Sequence, residues 1–187
     1  MSKFQRQMKA ALSELGGALT GVDESAIEAG CETLARARHI GVAGCGRELL
    51  QMKGFAMRLF HLGLPVSIVG DVTMPPLGKG DVFLVAAGPG ELATMTALMN
   101  VAKNAGAYNL LITAQPESSA GRLADSMIVI PAQTMASDQG EAKTSVLPMG
   151  SVFEGALFVL FEVMVLRLKT LLGVSPEAMR ARHTNME

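Results

Sequence analysis

Residues 81–96 read DVFLVAAGPGELATMT, an apolar run that passes through glycines into a segment of helical character. Val82–Ala86 has the length and unbroken apolar character of a strand covered on both faces, as in a parallel sheet. The loop at 87–90 (Ala-Gly-Pro-Gly) turns the chain, and Glu91 opens a helix that runs to about residue 106. A strand feeding a glycine loop and a helix N-terminus commits the chain to an α/β architecture. It also predicts an anion cradle, because loop amides and the helix dipole would converge on one point.

The same alternation recurs along the chain. HIGVA (39–43) is a first strand, followed by the loop Gly44-Cys45-Gly46 and a helix over 47–62. A second strand at 66–69 leads into the turn-rich GDVTMPPLGKGD, and further strands span 109–113 and 126–130. The polar loop PAQTMASDQGEAKTSVLPMG precedes a long helix over 151–172, then a short helix over 175–182 and the tail HTNME. Residues 1–37 read as two helices. Phe4, Met8, Leu12 and Leu15 recur at helical spacing, Gly16 and Gly17 break the first helix, and Asp23 caps the second. This arm has too few basic residues for a DNA-reading unit and is expected to serve packing or oligomerisation. The pattern predicts one α/β domain, a three-layer sandwich around a five-stranded parallel sheet of flavodoxin-like type. Within it, 1–37 is a helical arm, 38–172 the α/β core, and 173–187 a C-terminal helix and tail. Both glycine loops, 44–46 and 87–90, fall beyond strand C-termini, where such sheets bind ligands.

Composition narrows the function classes. With 49% hydrophobic and 18% charged residues and a mean hydropathy of +0.33, the chain carries more apolar surface than a monomer of this size hides, so subunit interfaces are expected to absorb it. Sixteen basic and seventeen acidic residues give net charge −1, and aromatics are 4% without tryptophan, which argues against a nucleic-acid surface. No apolar run reaches the roughly 18 residues of a bilayer span, since 152–168 is interrupted by Glu154 and Glu162. MSKFQRQMKAALSEL lacks the apolar core of a signal peptide, and Cys31 and Cys45 do not make a disulfide framework, so a cytoplasmic location is expected.

Few residues stand out as chemistry. GCGREL (44–49) is a degenerate dinucleotide fingerprint in which Leu49 replaces the third glycine, with Asp71 near the position of a ribose-binding acid. Leucine there works against the close helix–strand approach that glycine permits. Glu154 lies in the first turn of a helix whose apolar residues wrap most of its circumference, so burial on nearly all sides is expected. Burial would raise its pKa toward base chemistry, while the helix dipole favours the carboxylate; both readings stay open. His39 and His61 flank apolar segments, and His183 lies in a polar tail. No His/Cys/Asp grouping has metal-ligand spacing, and no cofactor is called for.

Four segments together resemble one family: FAMRLFHLGLPVSIVGDVTMPPLGKGD (55–81), QPESSAGRLAD (115–125), LPMGSVFEGAL (147–157) and RHTNME (182–187). They are similar to the 6-phospho-3-hexuloisomerases of the sugar isomerase (SIS) domain family, over nearly the whole chain from about residue 20. The resemblance implies a tetrameric α/β sandwich that interconverts 3-hexulose 6-phosphate and fructose 6-phosphate without metal or organic cofactor. It implies Glu154 as the enediol base and His183, from a neighbouring subunit, as its partner in proton movement or ring opening. Gly46, Arg47, Glu48, Ala87, Gly88, Pro89, Gly90, Glu91, Leu92 and Ser118 are the matching substrate-binding positions.

The ligand loops depart from the family. Its first loop reads G-x-G-R-S-G, and here the serine that contacts phosphate is Glu48. Its second reads S-G-S-G-x-T, and here the hydroxyl residues are Ala87, Pro89 and Leu92; Pro89 also removes an N–H. Each lost charge-assisted hydrogen bond is worth roughly 1.5–3 kcal/mol, so several together remove decades of phosphate affinity. The expected function is a sugar isomerase of the phosphohexuloisomerase type acting on a sugar or sugar phosphate. Two substrates stay open: one other than the usual phosphosugar, because the loop hydroxyls are lost, and the usual phosphosugar itself, held by Ser118, Arg47 and the remaining amides. The alternative is a non-catalytic sugar-binding or regulatory module.

Overall fold

The computed structural model describes residues 1–140 and 144–186. Residues 141–143, inside the polar loop expected at 131–150, and Glu187, at the end of the expected tail, lie outside the described residues. The helices are α1 (Lys3–Thr20), α2 (Glu24–Arg36), α3 (Gly46–Leu62), α4 (Ala93–Asn104), α5 (Ser151–Leu172) and α6 (Pro176–Ala181). The strands are β1 (Ile40–Ala43), β2 (Val66–Ile68), β3 (Val82–Ala86), β4 (Tyr108–Thr113) and β5 (Ser126–Val129). They form one parallel sheet in the order β2-β1-β3-β4-β5, with helices on both faces.

The strand side chains divide by the two-residue period of an extended chain. Val82, Leu84 and Ala86 join Leu34, Phe55, Leu59, Phe153 and Leu160 on one face, against α1, α2, α3 and α5. Phe83 and Val85 join Met95, Met99 and Leu111 on the other, against α4. This double coverage is why β3 has no polar position. Among the described residues the second face carries one long helix, and over β1 the β2–β3 connection takes the place of another. A Cβ at Gly41 would stand 2.7 Å from Leu77 and 2.8 Å from Met74, so glycine is what lets that connection lie on the strand. The far end of the connection is tied at Asp81, which accepts from Arg38 twice at 2.9 Å and from Gly78 N–H at 2.7 Å.

Three expectations change. Gly16 and Gly17 do not break α1, which continues to Thr20. The cost of about 1 kcal/mol for each mid-helix glycine is offset by the capping box between Ser2 and Gln5 and by packing on α5, where Leu15 comes within 2.8 Å of a Cβ built on Gly155. Glu91 does not open α4, which starts at Ala93, because the Glu91 carboxylate is engaged by Ser119. Nor is α5 buried nearly all round: Phe158, Val159, Val163 and Leu166 stand 37–67% exposed in the single chain. Phe4, Met8 and Leu12 on α1 and Leu50, Met57 and Phe60 on α3 are likewise exposed. Among the described residues, no helix is long and apolar enough to cross a membrane.

Parallel pairing sets Ala43 beside Val85 and Ala86 beside Ile112. The glycine loops after β1 and β3 therefore emerge side by side at the C-terminal edge, where the strand order reverses direction.

Candidate active site

The first turns of α3 and α5 meet above that edge. Arg47 leans from α3 to α5, donating from Nη1 to Ser151 Oγ at 2.8 Å and from Nη2 to the Met149 carbonyl. The same Nη2 lies 3.1 Å from Glu154 Oε1. The approach to α5 is tightly built, because Met149 (φ 57°) and Gly150 (φ 74°) are consecutive left-handed residues. A Cβ on Gly150 would stand 2.5 Å from Met135 N, so the loop at 134–135 sits against the helix start only because residue 150 is glycine.

These elements enclose a cleft of about 270 Å³. Gly46, Arg47 and Glu48 line it from α3, Pro89 and Leu92 from the glycine loop, and Phe153 and Glu154 from α5. Cys45, Thr134, Met135, Met149 and Gly150 complete the wall; none of these was among the site residues expected from sequence, although Cys45 lies in GCGREL and Met149 and Gly150 in LPMGSVFEGAL. Gly150 carried a signal in the glycine ahead of an apolar helix, whereas nothing in PAQTMAS marks Thr134.

The remaining expected positions are not in the cleft wall. Ala87 is fully buried, and Ser118 is buried with its hydroxyl accepting from Gly121 N–H at 3.1 Å. Gly90 is pressed on Ser118, where a Cβ would come within 2.4 Å of Ser118 Oγ. Glu91 turns to Ser119, accepting its N–H at 2.7 Å and its hydroxyl at 2.6 Å. Gly88 meets the cleft only through Glu48, whose Oε2 accepts the Gly88 N–H at 3.1 Å.

The expected anion cradle is corrected accordingly. Ala87 N–H donates to the Ile112 carbonyl at 3.0 Å and Gly90 N–H to the Ala87 carbonyl at 3.0 Å. Gly88 N–H is taken by Glu48, and Pro89 has none. Every amide from 87 to 90 is satisfied within the chain.

Both cleft glutamates are displaced from the ordinary carboxylate range. Burial pushes Glu48 up to about 7, with the nearby Glu154 charge adding and the Gly88 N–H and Arg47 opposing. Burial also raises Glu154, against the pull of Arg47 and of its own backbone N–H. Desolvation is the largest influence on Glu154, ahead of the Arg47 charge and its own backbone N–H. Glu154 Oε2 and Thr134 Oγ1 are both buried without a hydrogen-bond partner among the described residues, although both residues line the cleft.

His183 is elsewhere. Its ring stacks on His61 at 5.3 Å, and Arg182 donates to the His61 carbonyl at 3.1 Å. His61 lies in the last turn of α3 and Arg47 in its first, so in one chain His183 is separated from the cleft by roughly 20 Å of helix. Asp71 accepts from Ile68 N–H at 3.2 Å and closes the turn after β2, outside the cleft. No group of three or more His, Cys, Asp or Glu among the described residues could hold a metal ion.

The Glu48 shift has a stability consequence. Between its ordinary value of 4.5 and about 7 the folded chain binds more protons than the unfolded one, so stability falls as pH rises through that window. A shift of this size corresponds to about 3 kcal/mol. Glu48→Gln is expected to flatten most of the decline in urea midpoint between pH 5 and pH 8, leaving a residue from Glu154. Equal slopes in wild type and variant would show that Glu48 is not held above its ordinary range.

A family model of the SIS domain matches residues 33–159, from the end of α2 into the first half of α5. The chain belongs to the SIS domain family. The SIS match includes both glycine loops and both cleft glutamates. The 3-hexulose-6-phosphate isomerase of Bacillus subtilis (strain 168) is 33% identical over 176 residues, covering 94% of this chain and 95% of its own. The enzyme of that name from Methylomonas aminofaciens is 37% identical over 146 residues, 78% of this chain and 79% of its own. Among solved structures, a Methanococcus jannaschii protein whose crystal structure was taken to infer a 3-hexulose-6-phosphate isomerase function superposes with a TM-score of 0.82. It is 22% identical, with 94% of this chain and 98% of that one covered, and so shares the SIS fold.

Proposed function

We propose that this SIS domain is a sugar isomerase that moves a carbonyl to the adjacent carbon through an enediol. The observation that carries the reading is the Glu154 carboxylate. It stands on the first turn of α5 in the wall of a small cleft, is raised by burial, and has one buried oxygen without a hydrogen-bond partner among the described residues. Glu154 takes the proton from the carbon beside the carbonyl. The electron pair becomes the C=C bond, and the carbonyl oxygen gains a proton. The same carboxylic acid returns its proton to the neighbouring carbon as the second hydroxyl loses one. Arg47, 3.1 Å from Glu154, places positive charge where the enediolate oxygen develops.

The relatives named 3-hexulose-6-phosphate isomerase support the reaction class. The substrate is a sugar or sugar phosphate other than theirs, in keeping with Ala87, Pro89 and Leu92 in the second glycine loop. His183 acts on the cleft of a neighbouring copy in a homo-oligomer, a tetramer as the resemblance implies. Its distance from Glu154 in its own chain and the exposed apolar faces of α1, α3 and α5 support this.

Deuterium exchange tests the reading. Purified protein incubated in D2O with hexuloses and their 6-phosphates is expected to place deuterium on carbon next to the carbonyl, followed by NMR. No exchange with any of them at high enzyme concentration would overturn the isomerase and favour a non-catalytic SIS module.

A further inference from the structure

An anion bound at a glycine loop is held by free amide N–H groups. Here the loop after β3 has none to offer between 87 and 90, and the one that points toward the cleft, Gly88 N–H, is already held by a carboxylate of the chain itself. That carboxylate belongs to the first turn of α3, on the element that also contributes Gly46 and Arg47 to the wall. Glu48 is only 8% exposed and is tied to the loop by the Gly88 N–H. Its other oxygen crowds Gly88, where a Cβ would stand 2.9 Å from Glu48 Oε1 and 2.8 Å from the Phe153 ring.

We propose that Glu48 is the specificity-determining residue of the cleft: its carboxylate occupies the anion position at the glycine loop, so the substrate end lying there is an uncharged hydroxyl group and not a phosphate. A phosphate brought to the same place would meet a carboxylate at close range in a largely apolar pocket, with the amides of residues 87–90 already engaged and Arg47 already paired with Glu154. A hydroxyl does the opposite, donating to the carboxylate it meets. A cationic end is disfavoured by the Arg47 guanidinium in the same wall. Pro89 and Leu92 add apolar surface suited to the carbon skeleton of a sugar. The substrate class is therefore a polyhydroxylated carbonyl compound without a terminal phosphate.

The inference rests on reading the cleft as the sugar site, and its test needs no turnover. Binding of inorganic phosphate and of fructose 6-phosphate is measured by calorimetry at pH 8, where Glu48 is ionised, on wild type, Glu48→Ser and Glu48→Gln. Wild type is expected to bind fructose 6-phosphate no more tightly than fructose. Glu48→Ser, which frees the Gly88 N–H and removes the charge, should gain at least about tenfold in affinity for both phosphate probes. Glu48→Gln, which removes the charge but keeps an acceptor on Gly88, should gain less, and it carries the test should the serine variant fail to fold. A wild type that prefers fructose 6-phosphate by tenfold or more would overturn the proposal, as would the absence of any phosphate gain in the variants. The two readings fail separately. A protein that binds as stated yet exchanges no deuterium refutes the isomerase alone, and one that exchanges deuterium into fructose 6-phosphate but not into neutral ketoses refutes the role of Glu48 alone.

Discussion

Glu154→Gln is expected to lower the rate of carbon-bound deuterium exchange by about a hundredfold to ten-thousandfold, the usual contribution of a positioned general base. Glutamine keeps the length of the side chain and can still accept from Arg47, now 3.1 Å from the carboxylate, so the first turn of α5 should not move. What it lacks is the lone pair able to take a proton at neutral pH. Substrate binding should therefore survive while exchange is lost, which a thermal-shift titration alongside the NMR assay would separate. Burial raises Glu154, so the wild-type exchange rate should rise with pH until the carboxylate is fully ionised, and this limb should vanish in the variant. A loss smaller than tenfold would remove Glu154 from the role of base.

The second large effect is on stability. Phe55 of α3 stacks on Phe161 of α5 with ring centroids 4.3 Å apart and planes 3° from parallel, and it is only 1% exposed. Phe55→Ala empties a space in the core that also holds Leu59, Met52 and Phe153, and such truncations cost about 3–5 kcal/mol. Urea unfolding at one fixed protein concentration would measure this, since assembly would otherwise contribute to the midpoint. A change below 1 kcal/mol would mean the seam repacks freely. Arg47 and Glu48 stand on one side of that seam and Ser151 and Glu154 on the other, so a loosened seam should also slow exchange.

Much of the fold was legible because the decisive signals were local. Val82–Ala86 has the bounds expected for it, since a strand covered on both faces needs every residue to be apolar. Ser151–Leu172 likewise matches its expected range, with Gly150 before it and Gly173 after it. Local signals failed where a distant residue decided the outcome. The glycine loop looked like an open anion cradle from its own sequence, and what closes it is Glu48, 40 positions earlier in the chain. Glu91 looked like the start of a helix, and Ser119 holds it outside one. Thr134 entered the cleft wall through Gly150, a contact made by folding that leaves no pattern in either segment. The exposed stripe on α5 escaped notice for a different reason, because apolar periodicity records which residues avoid water and not which surface covers them.

The seam between α3 and α5 also divides the labour of the cleft between two structurally separate supports. The group proposed to react stands on one helix and the group proposed to choose its ligand stands on the other. Substitutions at position 48 can thus change which sugars are accepted while the base stays seated, giving natural variation a route to new substrates that leaves the chemistry already in place untouched.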